Sequence, residues 1–367
     1  MMDNRVKNLA KVIVHYSLDI KPGQLFKIKA EPVAAPLVKA VYEEALKIGA
    51  NIFTDIRLIE LDEHFYKNAT DEQLKYISPI RELETDKIDA FLGIWATTNT
   101  KHLSGVDPKR QQMFNKANEG LMNRFFERAA SGALHWSGTQ YPTEAHAQDA
   151  EMSLADYEEF VYRAGHLYDD DPVDYWKGVE KEQQRLVNIL NQAEQIHLRA
   201  EGTDLTVGVK GRKWINCCGK ENFPDGEIFT SPIEDAVNGT IKYSFPAFLA
   251  GREADGVMLT FKDGKVVDAK AQKNEEFLLA MLDTDEGSRR LGEFAIGTNY
   301  EIKQFTRNTL FDEKIGGTCH LAVGAAYPET GGTNRSGIHW DMVCDLKKGG
   351  EIEADGKVFY KDGKFTI

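Results

Sequence analysis

Near residue 190 the hydrophobic pattern of this chain changes period, and the change constrains the fold more than any single motif. Before it, strand-like and helix-like runs alternate. Val6, Leu9, Ala10 and Ile13 mark one face of an opening helix. Lys21-Pro22-Gly23 turns into a strand with Phe26, Ile28 and Ala30 on one side. Leu37, Val38, Val41, Ala45 and Leu46 then recur at helical spacing, and Gly49 suits the left-handed position that ends a helix. Strands are expected over 50–56 and 88–95, the latter followed by the polar loop Thr97-Thr98-Asn99-Thr100 and a long helix over 109–130. Another helical stretch opens at Ser153, which with Asp156 resembles a capping box. It breaks at Asp169-Asp170-Asp171-Pro172 and resumes to Ala193. This alternation implies a parallel sheet covered by helices.

Beyond Gln195 the runs shorten and turn signals multiply. Strands over 196–200 and 205–210 flank Glu201-Gly202-Thr203-Asp204, and strands over 257–261 and 266–271 flank Lys262-Asp263-Gly264-Lys265. Asp355-Gly356 and Asp362-Gly363 add two further hairpin turns. The expectation is an α/β domain over 1–190 and, over 191–367, a mixed α+β domain rich in antiparallel strands.

The formal charge of −13 argues against a nucleic-acid partner, because a surface that tracks phosphates needs clustered Lys and Arg. The opening Met1-Met2-Asp3-Asn4-Arg5-Val6-Lys7 has no apolar leader, and no later stretch approaches 18 uninterrupted apolar residues. A soluble, cytoplasmic protein without a membrane partner is expected. Adjacent Cys217 and Cys218 suit no structural disulfide, and Cys319 and Cys344 read as small apolar groups. No G-x-G-x-x-G follows the first strand, and no phosphate-binding loop, H-E-x-x-H or G-x-S-x-G motif occurs.

The chemistry concentrates in the second half. Glu227, Glu293, His320, His339 and Asp341 form an oxygen and nitrogen ligand set suited to Zn²⁺, Co²⁺ or Mn²⁺. Five converging ligands exceed the needs of one open catalytic ion and suit two that share a carboxylate. Glu227 follows Pro224-Asp225-Gly226 and reads as a turn residue, with Ile228 and Phe229 offering an apolar wall. Glu293 follows a helical run over 286–292 and could pair with Arg289 or Arg290. The apolar Phe294-Ala295-Ile296-Gly297 instead points its carboxylate inward, where a buried charge needs a partner. His320 lies in a strand of small residues and could equally be a hydrogen-bonded core histidine. Tyr327 could donate to a tetrahedral intermediate or sit at a metal, or be an ordinary half-buried tyrosine. Strand alternation puts His339 and Asp341 on one face, although H-x-D alone is a weak signal. The preceding Gly331-Gly332-Thr333-Asn334-Arg335-Ser336-Gly337 reads as a mobile loop beside a cleft or as a plain surface connection. The remaining histidines lack metal-ligand spacing.

Four segments carry a resemblance to a known family: Asn222-Phe223-Pro224-Asp225-Gly226-Glu227-Ile228-Phe229-Thr230, Asp285-Glu286-Gly287-Ser288-Arg289-Arg290-Leu291-Gly292-Glu293, Gly317-Thr318-Cys319-His320-Leu321-Ala322-Val323-Gly324 and Ile338-His339-Trp340-Asp341. With Lys21-Pro22-Gly23 and Gln140-Tyr141-Pro142-Thr143 the likeness spans nearly the whole chain. The chain resembles the aminopeptidase T and aminopeptidase S family of dinuclear metallo-aminopeptidases. That resemblance implies metal ligands at Glu227, Glu293, His320, Tyr327, His339 and Asp341, with Glu293 bridging, and at Glu313 if a gap is allowed. It also implies a C-terminal metal-bearing catalytic domain, a homodimer and release of N-terminal residues from short peptides. The segment between His320 and His339 is shorter than the family pattern, which implies a different cleft loop and leaves the specificity open.

The expected chemistry is hydrolysis by a water activated between two ions, with Glu227 or Glu293 moving the proton and Tyr327 steadying the oxyanion. The alternatives are a metal-dependent amidase acting on a non-peptide substrate and a non-catalytic peptide-binding protein on the same fold.

Overall fold

The structure is a computed structural model that describes residues 3–249 and 251–367. Met1 and Met2 of the opening segment lie outside the described residues. Two compact units are formed, Met1–Trp176 with Gly219–Pro224, and Lys177–Cys218 with Asp225–Ile367. The division thus falls at Trp176, inside the helix Pro172–Leu190, rather than at its far end near 190, and Gly219–Pro224 returns to the first unit. It returns because Asn222–Phe223 adds a short parallel strand beside His135–Gln140.

The first unit is built on a five-stranded sheet in the order Asn51–Ile56, Leu25–Ala30, Ala90–Trp95, His135–Gln140, Asn222–Phe223, all parallel. The expected parallel α/β architecture is therefore present. Phe26, Ile28 and Ala30 are buried, and the helix Ala35–Ile48 ends at Gly49 with φ 90°. Hydrophobic periodicity did not anticipate the inner strand His135–Gln140, because its sequence is polar. Two of its buried groups find partners elsewhere in the chain: Thr139 Oγ1 donates to Phe223 O at 2.8 Å and Gln140 Nε2 to Tyr157 Oη at 2.8 Å. Buried polar groups with partners cost little, so no apolar run was needed.

Among the described residues the second unit holds two large antiparallel sheets and the two-stranded antiparallel pair Ala247–Leu249 and Arg252–Ala254. The larger has eight strands, running from Lys265–Lys270 at one edge through Gln195–Ala200 to Lys364–Phe365 at the other. Its Asp-Gly turns are tight: Asp263 and Gly264 have φ 48° and 76°, Asp355 and Gly356 have 49° and 75°. Two successive positive φ values are what type I′ hairpins require. The smaller sheet runs His339–Asp345, Thr318–Gly324, Leu291–Gly297, Glu227–Thr230, Ile215–Cys217.

The two faces of this smaller sheet have opposite character. Phe294, Ile296, Leu321, Val323, Trp340 and Met342 join strands of the larger sheet in one apolar core. Each such side chain stabilises the unit by about 1.5–3 kcal/mol on burial. Because side chains alternate, the residues between them point the other way. Those residues include Glu293, His320, His339 and Asp341.

Candidate metal centre

Register explains how separate segments reach one place. Glu293 lies opposite Ala322, His320 opposite Ala295, Asp341 opposite Ala322, His339 opposite Gly324 and Glu227 opposite Gly297. Each long polar side chain therefore has an Ala or Gly as a cross-strand neighbour on this face, which leaves room for the side chains to converge. A bulge between Leu291 and Glu293 sets the aim of Glu293, with Gly292 as the extra residue. Gly292 approaches the next strand so closely that a Cβ there would meet Ala325 O at 2.0 Å.

Two expectations about local structure are corrected. Glu293 does not follow a helix: Glu286–Arg289 is one 3-10 turn, capped by Asp285, and the strand begins at Leu291. Asp285 caps the start of that turn, accepting from Gly287 N and Ser288 N. Arg289 pairs with Asp283 at 2.7 Å and Arg290 donates to Glu234 O at 2.6 Å, so neither takes Glu293. Glu227 is not a surface turn residue either; it opens the strand Glu227–Thr230 and is 6% exposed.

The loop before His339 is pinned rather than loose. Asn334 Nδ2 donates to Gly287 O and Gly324 O, Gly337 N donates to Asp285 Oδ2, and Thr333 N donates to Glu234 Oε1.

The seven residues singled out in the sequence meet at this face, six of them in two groups of metal-competent atoms. Glu227, Glu313 and His320 form one, and Glu293, His339 and Asp341 the other; within each group the ligand atoms lie within 4.8 Å of one another. Glu293 links the two, with Oε1 3.6 Å from His320 Nε2 and Oε2 3.1 Å from His339 Nε2. Asp341 Oδ1 lies 3.3 Å from His339 Nε2, and Glu227 Oε2 lies 3.6 Å from His320 Nε2. Tyr327 Oη is 3.5 Å from His339 Nε2. Both imidazoles are oriented from behind. His320 Nδ1 is 3.1 Å from Glu313 O, and His339 Nδ1 is 2.8 Å from Ala325 O. A carbonyl can only accept, so each Nδ1 carries the proton and each Nε2 presents a lone pair to the centre when the ring is neutral.

The charges strain against burial. At His320 burial opposes a proton, yet Glu293, Glu227 and Glu313 push its pKa up to about 9. At His339 burial again opposes, but Asp341 and Glu293 push it up to about 11. Burial would raise Asp341, but His339 holds it well below the usual carboxylate range. Burial drives Glu313 far above that range, and Lys314 offsets only part of the effect. Burial and the charges of Glu293 and Asp341 raise Tyr327, so its phenol keeps its proton.

A divalent cation fits this donor set. Glu227 Oε2, His320 Nε2 and Asp341 Oδ1 are buried without a hydrogen-bond partner, which is costly unless something else engages them. Ligand atoms about 2.0–2.1 Å from one tetrahedral ion lie roughly 3.3 Å from each other, close to the separations found here.

Sequence reading missed Lys314, which is 2% exposed on its side chain and ion-pairs with Glu227 at 3.1 Å and Glu313 at 2.5 Å. Asp312-Glu313-Lys314 reads as ordinary surface charge, and nothing in its pattern signals burial. Gln183 was missed as well. Its Nε2 donates to Glu227 O at 3.0 Å and its Oε1 accepts from Thr298, fixing the start of the Glu227 strand. The histidines set aside earlier stay outside both groups.

A family model described as thermophilic metalloprotease (M29) matches residues 2–365. Aminopeptidase 2 of Geobacillus stearothermophilus is 32% identical, across 99% of this chain and 95% of its own. Aminopeptidase T of Thermus thermophilus is 27% identical, across 98% and 96%. The solved structure of wild-type AmpT from Thermus thermophilus superimposes with a TM-score of 0.85 at 24% identity, covering both chains fully, and so shares the fold. The chain belongs to the M29 family of thermophilic metalloproteases.

Proposed function

We propose that this metal-dependent aminopeptidase removes N-terminal residues from short peptides at two divalent ions held by the paired ligand groups. The observation that carries the reading is the position of Glu293, whose two oxygens face different imidazoles. A carboxylate so placed suits the shared ligand of a paired site. Glu227, Glu313 and His320 would hold one ion, and His339 and Asp341 the other, with Tyr327 beside it. Zn²⁺, Co²⁺ and Mn²⁺ all suit these donors. Such ions, when bound, lower the pKa of water and polarise a scissile carbonyl.

The chain's own groups supply the rest. The Tyr327 phenol stays protonated and can donate a hydrogen bond to the oxyanion that develops from the carbonyl. Glu227 Oε2 and Asp341 Oδ1 are buried carboxylate oxygens without a hydrogen-bond partner, and Glu227 or Glu293 would move the proton. We further propose a homodimer that works in a reducing cytoplasm. No helix among the described residues is long and apolar enough to cross a membrane.

The test is a chelator-stripped sample assayed on aminoacyl-nitroanilides and on a dipeptide panel. Activity should vanish and return with Zn²⁺, Co²⁺ or Mn²⁺. Full activity in the stripped sample, or cleavage confined to acylated amides, would overturn the proposal. Light scattering gives the oligomeric state.

A further inference from the structure

We propose that Lys314 makes the two halves of the centre unequal: the Glu293–His339–Asp341 half fills first, and the Glu227–Glu313–His320 half holds its ion more weakly. The inference rests on the two-ion reading above and concerns what the lysine does to it.

The halves differ in the cation already built into them. Lys314 Nζ takes one oxygen from each carboxylate of its half, lying 3.1 Å from Glu227 Oε1 and 2.5 Å from Glu313 Oε2. That leaves Glu227 Oε2, without a hydrogen-bond partner, His320 Nε2 and the other oxygen of Glu313 as donors of this half. Glu293 and Asp341 have no such companion; their ion pairs are all with imidazoles. Those imidazoles are themselves metal-competent donors, whereas an ammonium offers no lone pair to an ion. A metal arriving in the lysine's half therefore meets a fixed positive charge behind two of its ligands, and in a poorly solvated site that repulsion is large.

Lys314 cannot readily swing away. Its side chain is 2% exposed. Its backbone is tied on both sides, with Lys314 N donating to Phe311 O at 3.0 Å and Asn299 N donating to Lys314 O at 3.0 Å. The next residue, Ile315, bridges to Asn299. The ammonium is therefore part of the site, and its counter-charge role is met whether or not a second ion is present. One half can thus be assembled and neutral early, while the other remains open to exchange with the metal pool.

The experiment is titration of chelator-stripped full-length protein with Zn²⁺, by calorimetry and by competition with a chelating dye, on wild type and Lys314→Met. Wild type should take up two ions in separate steps. Lys314→Met should tighten the second step at least tenfold and move the first less than threefold, and Asp341→Asn should abolish the tight first step. Lys314→Arg, which keeps the charge, should retain the wild-type second step. Should Lys314→Met fail to fold, Lys314→Gln keeps a donor for both carboxylates and should likewise tighten the second step. Two steps unchanged by loss of the charge would overturn the role of Lys314 and leave the two-ion reading standing. A single ion in both wild type and Lys314→Met would overturn both. A second step tightened equally by Lys314→Arg would trace the order to packing and overturn the charge argument.

Discussion

Burial acts on histidines in both units of this molecule and ends in opposite results. In the first unit, half-buried His146 contacts Thr143 Oγ1 through Nδ1 at 2.9 Å and stacks on Tyr157. Burial dominates there, Asp149 opposes it only weakly, and the pKa falls to about 4. In the second unit His320 and His339 are also shielded from water, yet surrounding carboxylates carry them to about 9 and about 11. The first environment keeps a ring neutral, as a core selected for stability does. The second gathers more negative charge than its side chains can neutralise in neutral form. Such an arrangement costs stability by itself, and the cost is offset only when cations arrive.

The largest effect is expected from breaking the contrast at its centre. Glu293→Ala removes the group shared by both imidazoles, and kcat/KM should fall by more than about 100-fold, beyond what loss of a supporting contact alone produces. Metal analysis of the same variant should show lost occupancy; normal metal content and activity would show that Glu293 does not join the halves. Tyr327→Phe keeps the ring against Phe229 but deletes the donor. It should lower kcat by about 10²–10³-fold with KM little changed, the range for one lost oxyanion donor. An effect on KM alone would assign the hydroxyl to substrate binding instead.

Two further changes sharpen the contrast through stability. Gly292→Ala drives a methyl against Ala325 O and should destabilise the second unit by about 3 kcal/mol or more, with activity falling in step. A melting temperature equal to wild type would mean that the bulge can shift to accept a side chain.

The smallest effect belongs to His146. Its pKa is about 4 folded against 6.5 for an unperturbed ring, so between these values the unfolded chain binds more protons. Stability from this group is therefore fully present above about pH 6.5 and is lost as pH drops towards 4, by at most about 3 kcal/mol. His146→Asn should flatten that part of the denaturation-versus-pH curve. An unchanged slope would place the pH dependence elsewhere.

Much of this was legible from side-chain periodicity, and the failures have identifiable causes. The helix ending at Gly49 and the Asp-Gly hairpins are local devices whose backbone demands are visible in two or three residues. The strand His135–Gln140 was not legible, because its buried polar groups find partners far away in the chain, such as Phe223. Single segments favoured a turn for Glu227 and a helix end for Glu293. Only the antiparallel register, with Ala322 facing both Glu293 and Asp341, reveals why these residues can meet. Lys314 was illegible for a related reason. A lysine beside a glutamate looks solvated until the fold places a second carboxylate on its other side.

The two imidazoles lean on main-chain oxygens, those of Glu313 and Ala325. Every amino acid at those positions would offer the same acceptor, so the tautomer of each ring is insulated from point mutation at its support. The aim of His320 and His339 is therefore set by main-chain atoms, separately from the part the Glu313 side chain plays in the centre. Evolution of the centre is free to alter its charge while its geometry stays inherited from the backbone.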